Sequence, residues 1–382
     1  DIRQAGATGI VTALHEIPNG EVWSEKALAE RKRFIEWDDN QTTPKSRGLS
    51  WSVIESIPVH EDIKQARPNR DILIENYIES IRNVGKVGIP VLCYNFMPVI
   101  DWTRTDLKYQ LPNGAYALRF DQDQFAAFDL LILNRADAKD DYAPEEIRRA
   151  ERLFKTMSAE DKSALTDTII AGLPGKMTDA YSLEDFRAAL ARYGHMDHAK
   201  LRQNLVAFLA KVLPHAEKAG VALAIHPDDP PWDMFGLPRV ICTPADLDKL
   251  FGALPSPANG ITLCVGTYGS RPDNDLPQMA LDYAKRIHFA HLRGVTRDSK
   301  EPRSFYEASH LESDIDMVRV IRHLLDNEKA LQREILIRPD HGHLMMDDVS
   351  RTSNPGYSAI GRMKGLAEIR GVVKAMSVDG IN

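Results

Sequence analysis

The stretch IHFAHLRG (287–294) reads as a strand buried on both faces, a short and mostly apolar run that closes on His291. Three other stretches end in the same manner. ALAIHP (222–227) closes on His226, ITLCVG (261–266) on Cys264, and EILIRPDHGH (334–343) on Asp340. In a parallel α/β barrel every strand delivers its C-terminal residue to one mouth, so groups far apart in sequence meet there. Two imidazoles, a thiolate and a carboxylate are a donor set suited to a divalent metal ion.

Working outward, strand-like runs recur at 8–14, 49–57, 89–96, 221–227, 260–266, 286–293 and 333–340. Helical periodicity separates most of them. Residues 71–87 place Ile72, Ile74, Ile78, Ile81 and Val84 near one face with Asp71 as N-cap, and residues 199–219 stop at Gly220. Alternating β and α predicts a parallel sheet with right-handed crossovers. The expected fold class is α/β, a (β/α)8 TIM barrel in a single domain over 1–382. These runs are one short of a closed ring, which predicts a further strand before Asp1. Segment 97–198 is too long for a simple loop. After a polar, aromatic start it carries helical stretches near 122–135, 144–172 and 182–193, and it reads as a largely helical insertion or lid on the mouth side.

The 382 residues are 43% hydrophobic and 27% charged, which allows a large core. The net charge of −7, without a Lys/Arg-rich stripe, argues against a nucleic-acid partner. No apolar run approaches membrane-spanning length. Cys93, Cys242 and Cys264 are too few and too odd in number for a disulfide framework, which suits a reducing cytoplasm.

Each candidate ligand also has a plainer use. His226 and Asp340 could cap turns, and Cys264 could pack as a small hydrophobe. Four strands ending this way argue jointly for a metal, because unpaired polar groups in a barrel mouth are costly. His288 reads as structural. The run RPDHGHLM (338–345) adds Arg338, His341 and His343 around Gly342, and His343 is the candidate acid or base. Tyr357 follows in the next loop. Glu55, His60, Glu61, Asn95, Trp102, Arg104, Asp106, Arg293 and His310 also follow strands or lie in mouth-side loops. From this group and Arg338, we expect Asn95, Arg104, Arg293, His310 and Arg338 to bind substrate, since Arg pairs naturally with a carboxylate.

Taken together, WSVIESIPVHEDIK (51–64), CYNFMPVIDWTRTDL (93–107), HPDDPP (226–231), HLRG (291–294), SFYEASHLESD (304–314) and RPDHGH (338–343) resemble the mannonate dehydratase family, on the xylose-isomerase-like barrel. The family's opening strand, with its aromatic residues, has no counterpart here. The resemblance implies Mn²⁺ or Fe²⁺ held by His226, Cys264, His291 and Asp340. It also implies acid–base chemistry shared by His343 and Tyr357, with the roles undivided. The implied reaction is loss of water from D-mannonate, giving 2-dehydro-3-deoxy-D-gluconate in hexuronate breakdown. The expected partners are a small sugar acid and a second copy of the chain, as a homodimer or higher homo-oligomer through 97–198. Rival readings are a metal-dependent isomerase or epimerase, a barrel-type DNA-repair nuclease, and a non-catalytic sugar-acid binding protein.

Overall fold

A computed structural model describes residues 1–39, 43–171, 182–194 and 196–377. The strands that organise it are β1 (Gly9–Thr12), β2 (Ser50–Glu55), β3 (Val91–Tyr94), β4 (Asp106–Gln110), β5 (Tyr116–Phe120), β6 (Ala222–Ile225), β7 (Asn259–Cys264), β8 (Ile287–His291), β9 (Gly294–Arg297), β10 (Phe305–Ala308) and β11 (Leu336–Arg338). Seven of them form one parallel sheet in the order β1-β2-β3-β6-β7-β8-β11. Each expected strand is present, in the expected order. Among the described residues β1 and β11 are the two edges, and no eighth strand joins them.

Strand period decides what the barrel encloses. Val53, Val91, Cys93, Ala224 and Phe289 form one small buried cluster, packed by Val11, Ala222 and Leu336. Two residues further along the same strands stand Glu55, His226, His291 and Arg338. Alternation therefore carries these polar groups up from the barrel's own filling to its mouth. The opposite faces, among them Ile54, Leu92, Leu223, Leu263 and Ala290, join the main core. That core also receives Leu201, Leu205, Phe208, Leu209 and Val212 from the helix His198–Ala219.

The helix Arg70–Lys86 buries Ile74, Ile78, Ile81 and Val84, but Ile72 is 69% exposed. Asn69 occupies the N-cap position, and Asp71 instead pairs with Lys211 at 2.7 Å. Helix His198–Ala219 does end on Gly220, whose φ of 68° lies in the left-handed region that glycine tolerates best.

Segment 97–198 contains the helices Gln122–Ala127, Pro144–Thr156, Ala159–Ala171 and Leu183–Ala191, with a π-turn at Phe128–Ile132. Its start is not helical. Strands β4 and β5 pair antiparallel, and β5 pairs with β10 to give a second sheet in the order β9-β10-β5-β4. β9 follows the end of β8 directly, so this small sheet is rooted at the mouth. All three cysteines are free. Among the described residues no helix is long and apolar enough to cross a membrane.

Candidate metal centre

β6, β7 and β8 bring their ends together. His226, Cys264 and His291 each offer one donor atom, and these atoms lie within 4.8 Å of one another. The register explains the meeting, because His291 pairs with Cys264 across β7 and β8 while the His226 N–H donates to the Tyr94 carbonyl beyond β6. Phe289 lies beneath His291, with ring centroids 4.6 Å apart. Asp340 borders the trio: its Oδ2 is 4.0 Å from Cys264 Sγ, and its Oδ1 is 3.8 Å from His291 Nδ1. Asp340 reaches this place with φ of 57°, a strained backbone more tolerable for Asp than for most residues.

Hydrogen bonding suits this set to a cation. His226 Nδ1 lies 2.7 Å from the Pro227 carbonyl; donating there leaves Nε2 as the lone-pair nitrogen, the arrangement usual for a metal-bound imidazole. His291 Nε2 is buried without a hydrogen-bond partner, 3.4 Å from Glu55 Oε1. A buried nitrogen left unpaired amid thiol, imidazole and carboxylate is what a bound divalent ion would satisfy.

Charge around the trio is dense and balanced. Arg338 bridges Glu55 and Asp340, with Nη2 2.6 Å from Asp340 Oδ1. Arg293 reaches Asp340 Oδ2 at 3.2 Å, Asp229 at 2.9 Å and Glu307 at 3.4 Å. Burial alone would raise the Asp340 carboxyl, but His341, His291, Arg338 and Arg293 hold it well below the usual carboxylate range. Glu55 is likewise lowered against burial, chiefly by Arg338 and His291. Thr267 Oγ1 touches both Cys264 Sγ (3.1 Å) and Asp229 Oδ2 (2.9 Å), tying the thiol to the charged network.

Beside the trio lies a second group. His341 Nδ1 is 2.7 Å from Glu307 Oε2, and its ring meets Tyr357 edge-on with centroids 5.2 Å apart. Burial raises Glu307, but His341, Arg293 and Arg104 outweigh it and pull the group to about 2. Tyr357 is pushed up to about 12 by burial, with Asp340 and Glu55 adding and Arg338 opposing. His343 faces differently: its Nε2 is 2.8 Å from the Glu307 backbone carbonyl, and burial lowers its pKa.

The other expected substrate residues fall in contrasting places. Arg338 and the half-buried Asn95 stand at strand ends on the mouth side. Arg104 is wholly buried, spent on Asp229 and Glu307 and stacked on Trp102 and Phe305. Arg293 is equally enclosed. Its Nη atoms are paired with Asp340, Asp229 and Glu307, while its Nε has no hydrogen-bond partner among the described residues. His310 braces the 339–343 turn from behind, 3.9 Å from Glu368 and bonded to the Pro339 carbonyl. Sequence reading assigned no part to Asp229, Thr267 and Glu307. Thr267 sits in the short helix Val265–Gly269 and Glu307 on β10, an inner strand of the mouth sheet, and no periodic signal marks either, although Asp229 lies inside the HPDDPP segment and Glu307 inside SFYEASHLESD.

Fold and centre together define a TIM-barrel protein with a cysteine–histidine cluster at the C-terminal mouth of its strands. Comparison with known proteins narrows the class. The family model described as "D-mannonate dehydratase (UxuA)" matches residues 1–380, and the chain belongs to that family. A mannonate dehydratase of Chromohalobacter salexigens is 52% identical over 380 residues, covering 98% of this chain and 94% of that protein. One from Marinomonas sp. is 52% identical over 377 residues, covering 97% and 94%. A solved mannonate dehydratase from Streptococcus suis serotype 2 superposes with a TM-score of 0.74 at 37% identity, covering 98% of this chain and 88% of that one.

Proposed function

We infer that this chain is a hydro-lyase that converts D-mannonate to 2-dehydro-3-deoxy-D-gluconate and water. The observation that carries the reading is the family match along residues 1–380, in a chain whose metal-type donors meet at the barrel mouth. His226, Cys264, His291 and Asp340 would hold a divalent ion, Mn²⁺ or Fe²⁺. When bound, such an ion supplies positive charge to a substrate carboxylate, making the adjacent C–H more acidic.

The chain's own residues divide the proton work. At neutral pH Tyr357 is a neutral phenol, as tyrosine ordinarily is, and burial pushes its hydroxyl further up, to about 12. It therefore suits the acid that protonates the departing C3 hydroxyl. His341 can donate Nδ1–H to Glu307, which leaves Nε2 with its lone pair to take the C2 proton. The C2–H bond breaks toward the imidazole, the C3–O bond breaks with a proton from Tyr357, and the resulting enol tautomerises to the 2-keto acid. His343 is the second candidate base. Its tie to the Glu307 backbone carbonyl and the contact of His341 with Tyr357 favour His341. Arg338, at the mouth between Glu55 and Asp340, is the guanidinium placed nearest the metal donors to meet the substrate carboxylate.

Segment 97–198 serves in this reading as a lid over the mouth and as the contact between two copies of the chain, in the cytoplasm. Light scattering would report the second role. Incubation of the Mn²⁺-loaded protein with D-mannonate tests the reaction. A 2-keto-3-deoxy acid should accumulate, and an isomerised or epimerised sugar acid of unchanged mass would refute it.

A further inference from the structure

We infer that Thr267 is a positioning residue for the metal centre: its hydroxyl donates a hydrogen bond to the Cys264 sulfur and sets how much charge that ligand gives to the ion. The inference rests on the reading that His226, Cys264, His291 and Asp340 hold a divalent ion.

β7 ends at Cys264, and the chain passes at once into the short helix Val265–Gly269. Residues three apart are neighbours on a helical turn, so Thr267 comes back over the strand end. It is fully buried, and its Oγ1 lies 3.1 Å from Cys264 Sγ. Among the described residues no other hydrogen-bond donor reaches that sulfur, whose other contact is the Asp340 carboxylate.

A hydroxyl has one proton to donate and two lone pairs. Three groups surround Oγ1: Cys264 Sγ, Asp229 Oδ2 at 2.9 Å and Arg293 Nη2 at 3.0 Å. Arg293 can only donate, so it takes a lone pair. The proton goes either to Asp229 or to the sulfur. Asp229 is already well supplied. Its Oδ1 accepts from Arg104 Nη1 at 2.7 Å, and its Oδ2 accepts from Arg293 Nη2 at 2.9 Å and Arg104 Nη2 at 3.3 Å. Two guanidinium groups thus serve one carboxylate. A metal-bound Cys264 is a thiolate, an anion with no other donor, so the hydroxyl proton turns to it. The Arg293 bond to Oγ1 polarises the hydroxyl and strengthens the bond it passes on.

Gly266 leaves room for this arrangement. A Cβ there would stand 2.3 Å from Arg293 Nε and 2.9 Å from its Cβ, so any side chain would push the arginine away from Thr267 and Asp229. The consequence is electronic. A thiolate is the strongest electron donor of the four ligands, and a hydrogen bond draws charge off its sulfur. The ion then keeps more positive charge for the substrate carboxylate.

Spectra of the Co²⁺-reconstituted protein test this. Thr267→Val keeps nearly the same shape and deletes the hydroxyl. Its thiolate-to-cobalt band should move to longer wavelength, and cobalt affinity should weaken about tenfold or more. Thr267→Ser, which keeps a hydroxyl, should retain the parent band. The parent carries its own check. Its cobalt–sulfur stretch, read by resonance Raman, should shift between H2O and D2O, because the hydrogen bonded to the sulfur exchanges. A band unmoved in folded Thr267→Val protein overturns the inference, as does a parent stretch insensitive to D2O. A bound-cobalt parent with no sulfur band at all overturns the metal centre itself, and the inference with it.

Discussion

The imidazoles of His226 and His291 stand 5.1 Å apart, centroid to centroid, although one follows β6 and the other ends β8. Cys264 comes from the strand between them. Three adjacent strand ends thus make one cluster, with Asp340 supplied by the turn after the next strand. Nothing local in the sequence holds these groups together; the parallel register does.

Removal of any one of the four should therefore act on metal and turnover together. In His226→Ala, Cys264→Ser, His291→Ala and Asp340→Ala proteins, elemental analysis should show bound metal falling in step with activity. A chelator should silence the parent protein, and Mn²⁺ or Fe²⁺ should restore it. Zn²⁺, favoured by thiolate and imidazole donors, should inhibit.

Tyr357→Phe should separate chemistry from binding. It keeps the ring against His341 and deletes only the hydroxyl. Turnover should fall by about 10²–10⁴ while metal content stays unchanged. Unaltered turnover would remove Tyr357 from the reaction.

His341→Asn and His343→Asn should differ. The first deletes the imidazole between Glu307 and Tyr357, and kcat should collapse. The second loses a bond to a backbone carbonyl, and its effect on kcat should be far smaller. The reverse order in steady-state kinetics would make His343 the base.

Asp229→Asn should destabilise the fold. Asp229 is the shared buried counter-charge of Arg104 and Arg293, and its loss leaves both underpaired. Breaking such a pair costs about 3–5 kcal/mol. Thermal or urea melts would show this as a large fall in midpoint; a drop within error would contradict the network's role.

Acid should weaken the protein in two stages. His288 is lowered from 6.5 to about 4 by burial and by Arg333. Its folded pKa lies below the unfolded one, so its contribution is complete above pH 6.5 and is lost between about 6.5 and 4, roughly 3 kcal/mol in all. Glu307, lowered to about 2, adds a second loss as pH falls from about 4.5 toward 2. Melting temperatures measured from pH 7 to 4 should drop in the parent and flatten in His288→Gln. Parallel curves would exclude His288.

The barrel was legible because its strands are buried on both faces and read as unbroken apolar runs. Their ends stood out because His226, Cys264, His291 and Asp340 are costly there without a partner. The mouth sheet was not legible. β4 and β5 are short strands inside the long 97–198 segment, and Phe305 and Tyr306 of β10 pair with Phe120 and Arg119 of β5, far away in the chain. The choice between His341 and His343 was also hidden. Both stand on the same short turn, and only the tertiary positions of Glu307 and Tyr357 tell them apart. The ties of Arg104 were likewise hidden, because its partners Asp229 and Glu307 lie 125 and 203 residues further along the chain.

The most direct measurement is the absorption spectrum of the protein reconstituted with Co²⁺, taken beside its metal content. One equivalent of cobalt with a thiolate-to-metal charge-transfer band, absent in Cys264→Ser, is the predicted result. Tightly bound cobalt with no sulfur band, unaffected by Cys264→Ser, would show that the ion sits elsewhere and contradict the proposed centre.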